Sequence, residues 1–175
     1  MERIEIPFNE LNLNPIKFWN DSLLLTAGEL KPGKFNSMTV AWGSLGVYWE
    51  EPMVQVVVRP SRYTYDFMEK SDSFTVCAFN PGYGAALKIM GTKSGRDTNK
   101  IEESKLTPRP SKMIAAPGYN EAELILECRK VYFNDLNPAN IDETVETFYH
   151  GRNYHRFYFG KIVSIQGAPI YQKEK

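Results

Sequence analysis

The sequence predicts a mainly β domain, a barrel decorated by a few short helices. Six runs rich in Val, Ile, Phe, Tyr and Thr recur along the 175 residues, punctuated by Gly, Pro and Asn. Long helices are not regularly interleaved with them, which makes a doubly wound parallel sheet the weaker reading. No internal repeat or low-complexity segment divides the chain. Its length suits one domain, residues 1–175, with a single real core.

In chain order the strand-like runs are LLLTAG (23–28), MTVAWG (38–43), MVQVVVR (53–59), SFTVCAF (73–79), AELILECRKVYF (122–133) and HRFYFGKIVSIQG (155–167). Three pieces break this pattern. RYTYDFMEK (62–70) spaces Tyr63, Phe67 and Lys70 as a short amphipathic helix does, with Ser61 as its N-cap. YGAALKIMG (83–91) predicts one or two helical turns closed by Gly91, and RDTNKIEESK (96–105) predicts another helix, capped by Asp97. The proline-rich tract LTPRPSKMIAAPGYN (106–120) reads as an ordered excursion, and the end, APIYQKEK, as a strand end with a solvated charged tail.

Composition removes several classes of function. Lys plus Arg equals Asp plus Glu at 21 each, so the basic excess of a nucleic-acid binder is missing. Apolar stretches such as LLL and VVV run only three or four residues, so no membrane span is expected. The start, MERIEIPFNE, has charges and a Pro where a signal peptide needs an apolar run. Cys77 and Cys128 stand alone in strand-like runs and read as buried free thiols of a cytoplasmic protein, although a disulfide is compatible with the sequence. There is no C-x-x-C, G-x-S-x-G, Walker loop, G-x-G-x-x-G or H-E-x-x-H. The two histidines, His150 and His155, have no neighbouring Cys. A metal site would need Asp142, Glu143 or Glu146 to converge on them, and none is expected.

Three polar stretches carry chemistry. GTKSGRDTNK (91–100) offers the Ser94 hydroxyl, the close backbone approach of Gly95, the Arg96 fork and the Lys100 point charge, a set that suits a phosphate. Taken alone, the same stretch reads first as a solvated turn opening a helix, with a capping Asp. RPSRYTYDF (59–67) sets Arg59, Ser61, Arg62 and Thr64 at a strand-to-helix junction, where donors again suit phosphate, or where the two arginines are plain surface charges. FNSMTVAWGS (35–44) places Asn36, Ser37 and Thr39 before Trp42. Polar groups there would bond the edge of a flat heteroaromatic ring lined by Met38, Ala41 and Trp42, although such aromatics are more often core.

The order NSMTVAW, RPSRYTY, SFTVCAF, GTKSGRDTNK, AAP and HRFYFGKIV resembles the flavin reductase-like domain, the FMN-binding split-barrel group that includes flavoredoxins. The resemblance runs from about Thr26 to Ile165. It implies a split β-barrel, a homodimer, and FMN held non-covalently. By position it assigns Asn36, Met38, Thr39, Ala41 and Trp42 to the isoalloxazine or ribityl chain. Arg59, Ser61, Arg62 and Thr64 go to the phosphate or ribityl chain. Ser94, Gly95, Arg96 and Lys100 go to the phosphate, with Arg96 or Lys100 neutralising it and Asp97 capping the next turn or orienting Arg96. Ala116 and Pro117 go to the flavin edge.

His155 corresponds to a family histidine beside the flavin and is the expected catalytic residue, or else a strand-start residue held by the backbone. Many NAD(P)H-using members carry Gly-Asp before that histidine, where this chain has Asn153-Tyr154. The implied reaction is hydride transfer from NAD(P)H to FMN, then electron delivery to a second acceptor: free flavin, ferric iron, a quinone or a partner protein. The alternatives are a flavoredoxin-type carrier that does not use NAD(P)H, and a non-catalytic flavin-binding protein.

Overall fold

The computed structural model describes residues 2–21 and 23–174. Met1 of the start and Lys175 of the charged tail lie outside the described residues. In order, the chain forms β1 (Ile4–Glu5), α1 (Pro15–Asn20), β2 (Leu23–Gly28), β3 (Phe35–Val40), β4 (Gly43–Tyr48), β5 (Glu51–Val58), α2 (Tyr63–Lys70) and β6 (Ser73–Ala78). There follow α3 (Gly84–Thr92), α4 (Lys100–Ser104), β7 (Pro108–Arg109), β8 (Gly118–Tyr119), β9 (Leu124–Asp135), α5 (Glu143–Glu146) and β10 (Arg156–Gly167).

One antiparallel sheet of eight strands runs in the order β3-β2-β6-β9-β10-β5-β4, with β1 on the far end of β10. β9 and β10 are twelve residues each and form its spine. The first half of β9 pairs with β6, and the first half of β10 pairs with β5. β3 and β4 follow one another in sequence yet occupy opposite ends of the order. Only Ala41 and Trp42 join them, so three Cα steps, about 11 Å at most, bring the two ends together. They meet without a hydrogen-bonded ladder, which makes the barrel split.

The main core gathers Leu25, Val54, Val56, Phe74, Val76, Leu126 and Tyr158, all fully buried. Residues of alternate parity face the other side, where Leu24, Cys77 and Ile125 pack with Met90 of α3, Leu106 and Tyr119. Thus α3 and the proline-rich tract cover the sheet's outer face. The tract is tied down by Glu127, a buried carboxylate that accepts from Lys112 N (2.9 Å), Met113 N (2.8 Å) and Gln166 Nε2 (2.7 Å). Cys77 and Cys128 are both buried and free. No described helix is long and apolar enough to cross a membrane.

Five expectations need correction. Gly91 does not close α3, which runs on to Thr92 with Lys93 at its C-cap. The run expected at 38–43 is two strands, with Ala41 and Trp42 in the link between them. Ser61 does not cap α2. Arg62 holds the N-cap position without a side-chain cap bond, and Ser61 Oγ instead accepts from Asn153 Nδ2 at 2.7 Å. The helix expected at 96–105 is only α4, and its cap is Asn99 rather than Asp97. The end of the chain is not a strand end: Pro169–Tyr171 make one 3-10 turn, and Gln172 bridges to Leu11. The β4–β5 hairpin turns on Trp49 and Glu50, two non-glycine residues at φ 51° and 60°.

Candidate functional site

The strand-to-helix junction at residues 59–64 lies at the centre of the candidate site. The first return bond of α2 runs from Tyr65 N to Arg62 O (2.9 Å), so the N–H groups of Tyr63 and Thr64 precede it at an end with no side-chain cap. Beside them lies a cleft of about 90 Å³ lined by Met38, Ser61, Arg62, Thr64, Ser94 and Lys100. Lys100 is 3% exposed. It is the first residue of α4, and its ammonium donates to Met90 O (3.0 Å) and Lys93 O (3.2 Å). No carboxylate pairs with it among the described residues. Burial, and then the charge of Arg62, push its pKa down to about 8. Arg62 donates to Gly91 O (2.7 Å) and also lacks a carboxylate partner among the described residues. Two partly desolvated cations beside an uncapped helix N-terminus make this an anion-seeking point.

Asn36 and Gly95 back this cleft. Asn36 Nδ2 donates to Thr64 Oγ1 at 2.8 Å, so β3 fixes the start of α2. Gly95 packs so closely that a Cβ there would stand 2.4 Å from Asn36 Oδ1. Arg96 does not enter the cleft: it pairs with Asp66 Oδ2 at 2.9 Å and lies over the Tyr63 ring at 4.8 Å. Asp97 therefore neither caps α4 nor orients Arg96.

Thr39 faces the opposite side of β3 and opens on a larger pocket of about 550 Å³, shared with Asn80, Pro81, Lys88, Gly91 and Thr92. Thr92 also lines the Arg62–Lys100 cleft, so the two spaces adjoin.

A second cluster continues from the junction through Arg59. Its Nε lies 3.4 Å from His155 Nε2, its Nη2 donates to Phe148 O (2.9 Å), and its guanidinium lies 5.4 Å from the centre of the Tyr149 ring. His155 stands one residue ahead of β10. Its ring is 5.2 Å from that of Trp42, and its Nδ1 is 2.9 Å from Tyr149 Oη. Burial and Arg59 push its pKa down to about 4, so the ring is neutral at pH 7. Arg59 can only donate, so Nε2 is the acceptor and Nδ1 carries the proton toward Tyr149. Trp42 is 44% exposed and meets Phe148 edge to face at 5.6 Å.

The fold thus brings Met38, Ser61, Arg62, Thr64, Ser94 and Lys100 together, with Asn36 and Gly95 behind them. Arg59, Trp42 and His155 form an adjoining group, and Ala41 lies exposed in the same link as Trp42. Ala116 and Pro117 are not brought to the cleft. They are buried, their carbonyls accepting from Ser111 Oγ (2.5 Å) and Thr75 Oγ1 (2.7 Å). Sequence reasoning missed Tyr149, which closes the Arg59–His155 group. It missed Thr92, which links the two spaces, and Asn80, whose position just after a strand and before a Pro-Gly turn is the only signal.

Comparison with known proteins agrees with this architecture. The profile of the Flavin reductase like domain matches residues 20–170. An uncharacterized protein of Archaeoglobus fulgidus is 31% identical over 108 residues, which is 62% of this chain and 59% of that relative's length. Flavoredoxin from Methanosarcina acetivorans superposes with TM-score 0.66 at 25% identity, covering 97% of this chain and 77% of its own. Nitrilotriacetate monooxygenase component B from Bacillus cereus superposes with TM-score 0.67 at 20% identity, covering 92% and 74%. With the profile spanning most of its length, the chain belongs to the flavin reductase-like family.

Proposed function

We propose that the chain binds FMN and acts as an oxidoreductase, its 5′-phosphate held in the Arg62–Lys100 cleft. The carrying observation is Lys100, a buried ammonium with no carboxylate partner among the described residues, beside Arg62 and the bare start of α2. A phosphate fits that donor set: two cations, the Ser94 and Thr64 hydroxyls and helix N–H groups. Flavoredoxin relatives and the family profile support the flavin reading.

Asn36, Met38, Thr39, Ala41 and Trp42 line the rest of the cofactor in this reading, with Ser61 and Gly95 shaping its phosphate end. Bound FMN supplies a ring that accepts a hydride or single electrons. Arg59, a cation without a carboxylate partner among the described residues, favours negative charge on a ring bound beside it. His155, neutral and tied to Tyr149 and Arg59, orients that group and moves no proton at pH 7. NAD(P)H is the proposed electron donor, and the acceptor is free flavin, ferric iron or a partner. The protein works as a cytoplasmic homodimer, a reading supported by its two free thiols and its open sheet ends.

One observation favours the carrier reading, in which NAD(P)H is not used. Asn153 and Tyr154, at the Gly-Asp position of NAD(P)H-using members, are committed internally, Asn153 to Ser61 and Tyr154 to Glu146 Oε1 at 2.6 Å.

The test is FMN titration followed by visible absorbance, wild type against Lys100→Ala. Loss of one charge-assisted contact of about 1.5–3 kcal/mol predicts FMN affinity roughly 10- to 150-fold weaker. Equal affinity would remove the cleft from the phosphate. Anaerobic NADH or NADPH then separates the two readings: bleaching of the flavin bands supports the reductase, persistence the carrier.

A further inference from the structure

A second cavity, outside the Arg62–Lys100 cleft, is built where the two ends of the chain meet. Asn12 N donates to Tyr171 O and Lys173 N to Glu10 O, both at 2.8 Å, so the terminal segments zip together. Between them, α1 and the Phe79–Pro81 turn lies a pocket of about 370 Å³, within the range of small-ligand sites. Its floor is apolar, made by Phe18, Leu23, Ala78 and Phe79, and Leu13 and Ile170 form its rim. Ile170 is 77% exposed, an apolar side chain kept at the mouth. Asp21, Phe79, Asn80 and Pro81 are common walls with the pocket at Thr39.

Three side-chain amides, those of Asn12, Asn14 and Asn80, lie on the pocket's lining, and two of them are fixed by capping. Asn14 and Asn80 each spend Oδ1 as a helix cap, accepting from Lys17 N (3.0 Å) and Gly82 N (2.9 Å). Capping fixes both side chains and leaves each Nδ2 as a donor with no partner among the described residues. Amide donors on the lining of a cavity with an apolar floor suit a flat body that carries oxygen acceptors. The charged lining is Lys17 against Asp21 and Glu123, one cation and two carboxylates, which disfavours an anion.

We infer that this pocket is a second ligand site, taking an uncharged planar ring compound with carbonyl oxygens, of the quinone type. Its occupancy does not depend on the FMN reading. The APIYQKEK end, for which the sequence suggests no role, thereby gains one: Ile170 and Tyr171 close the site.

The experiment is titration of menadione into the purified protein, followed by ¹H–¹⁵N NMR including side-chain amides. The expected result is saturable shifts at the Asn14 and Asn80 amides and along Ala78–Pro81 and Ile170–Tyr171. Asn14→Asp with Asn80→Asp keeps both caps, since Asp caps as well as Asn, but replaces the donors by carboxylates. That variant is expected to bind menadione at least tenfold more weakly with its fold unchanged. A sulfonated naphthoquinone is expected to bind more weakly than menadione. Absence of saturable shifts, shifts centred on Thr39 and Gly91 instead, unchanged affinity in the double variant, or tighter binding of the sulfonate would each overturn the inference. A protein that takes up FMN yet shows no menadione shifts keeps the cofactor reading and loses this one.

Discussion

Lys100 makes the ligand-free protein sensitive to alkali in an unusual direction. Its pKa is about 8 in the fold against 10.5 for an exposed lysine. Between those values the unfolded chain holds a proton that the folded chain has lost, so stability rises with pH. Each pKa unit corresponds to about 1.4 kcal/mol, so between pH 7 and pH 9 the gain from this one group is on the order of 1 kcal/mol. The buried thiols act oppositely. Burial pushes Cys77 up to about 12, and Cys128 also lies well above its usual value, so each loses stability as unfolded thiols ionise. Lys100→Met cancels that background, because both proteins carry both cysteines. Urea unfolding at pH 7 and pH 9 should show the wild type gaining on the order of 1 kcal/mol relative to the variant. Inorganic phosphate or FMN should abolish the difference by holding Lys100 charged. Parallel behaviour of the two proteins without an anion would refute the buried, uncompensated ammonium.

Other consequences are open to direct measurement. Gly95→Ala forces a Cβ onto Asn36 Oδ1 and should cost about 1–3 kcal/mol in urea unfolding, with loss of FMN uptake. The Arg96–Asp66 pair is exposed on both sides, so Arg96→Ala should change stability by less than about 1 kcal/mol and leave FMN affinity within a fewfold of wild type. His155 should titrate near pH 4 in NMR, chiefly because it is buried, and Arg59→Gln should move it up only part of the way by removing the neighbouring charge. Glu50→Gly relieves one left-handed residue of the β4–β5 turn and should raise stability by about 1 kcal/mol.

Much of the barrel was legible because its strands are short apolar runs between turn residues, as in LLLTAG before Glu29 and SFTVCAF before Asn80. The break between β3 and β4 was hidden because Ala41 and Trp42 continue the apolar run, and the link needs no glycine or proline. The two phosphate-suited stretches were legible as donor-rich turns. Their division of labour was not. Arg96 and Lys100 look alike as cations, and only the packing of α4 on α3 buries one while Asp66, thirty residues away, claims the other. Tyr149 was invisible for a similar reason: it reaches His155 through an irregular excursion with no periodic signal.

The two-residue link from Val40 to Gly43 also bears on how the protein opens. Edge strands of a sheet ordinarily fray independently, each at its own low free energy. Here the two edges are β3 and β4, and they share a tether too short to let one leave without pulling the other. Amide exchange should therefore report one cooperative unit covering Phe35–Tyr48, although its halves lie at opposite ends of the strand order. Trp42 sits in that tether, so the first seam of the barrel to part would also be the one that takes Trp42 from His155.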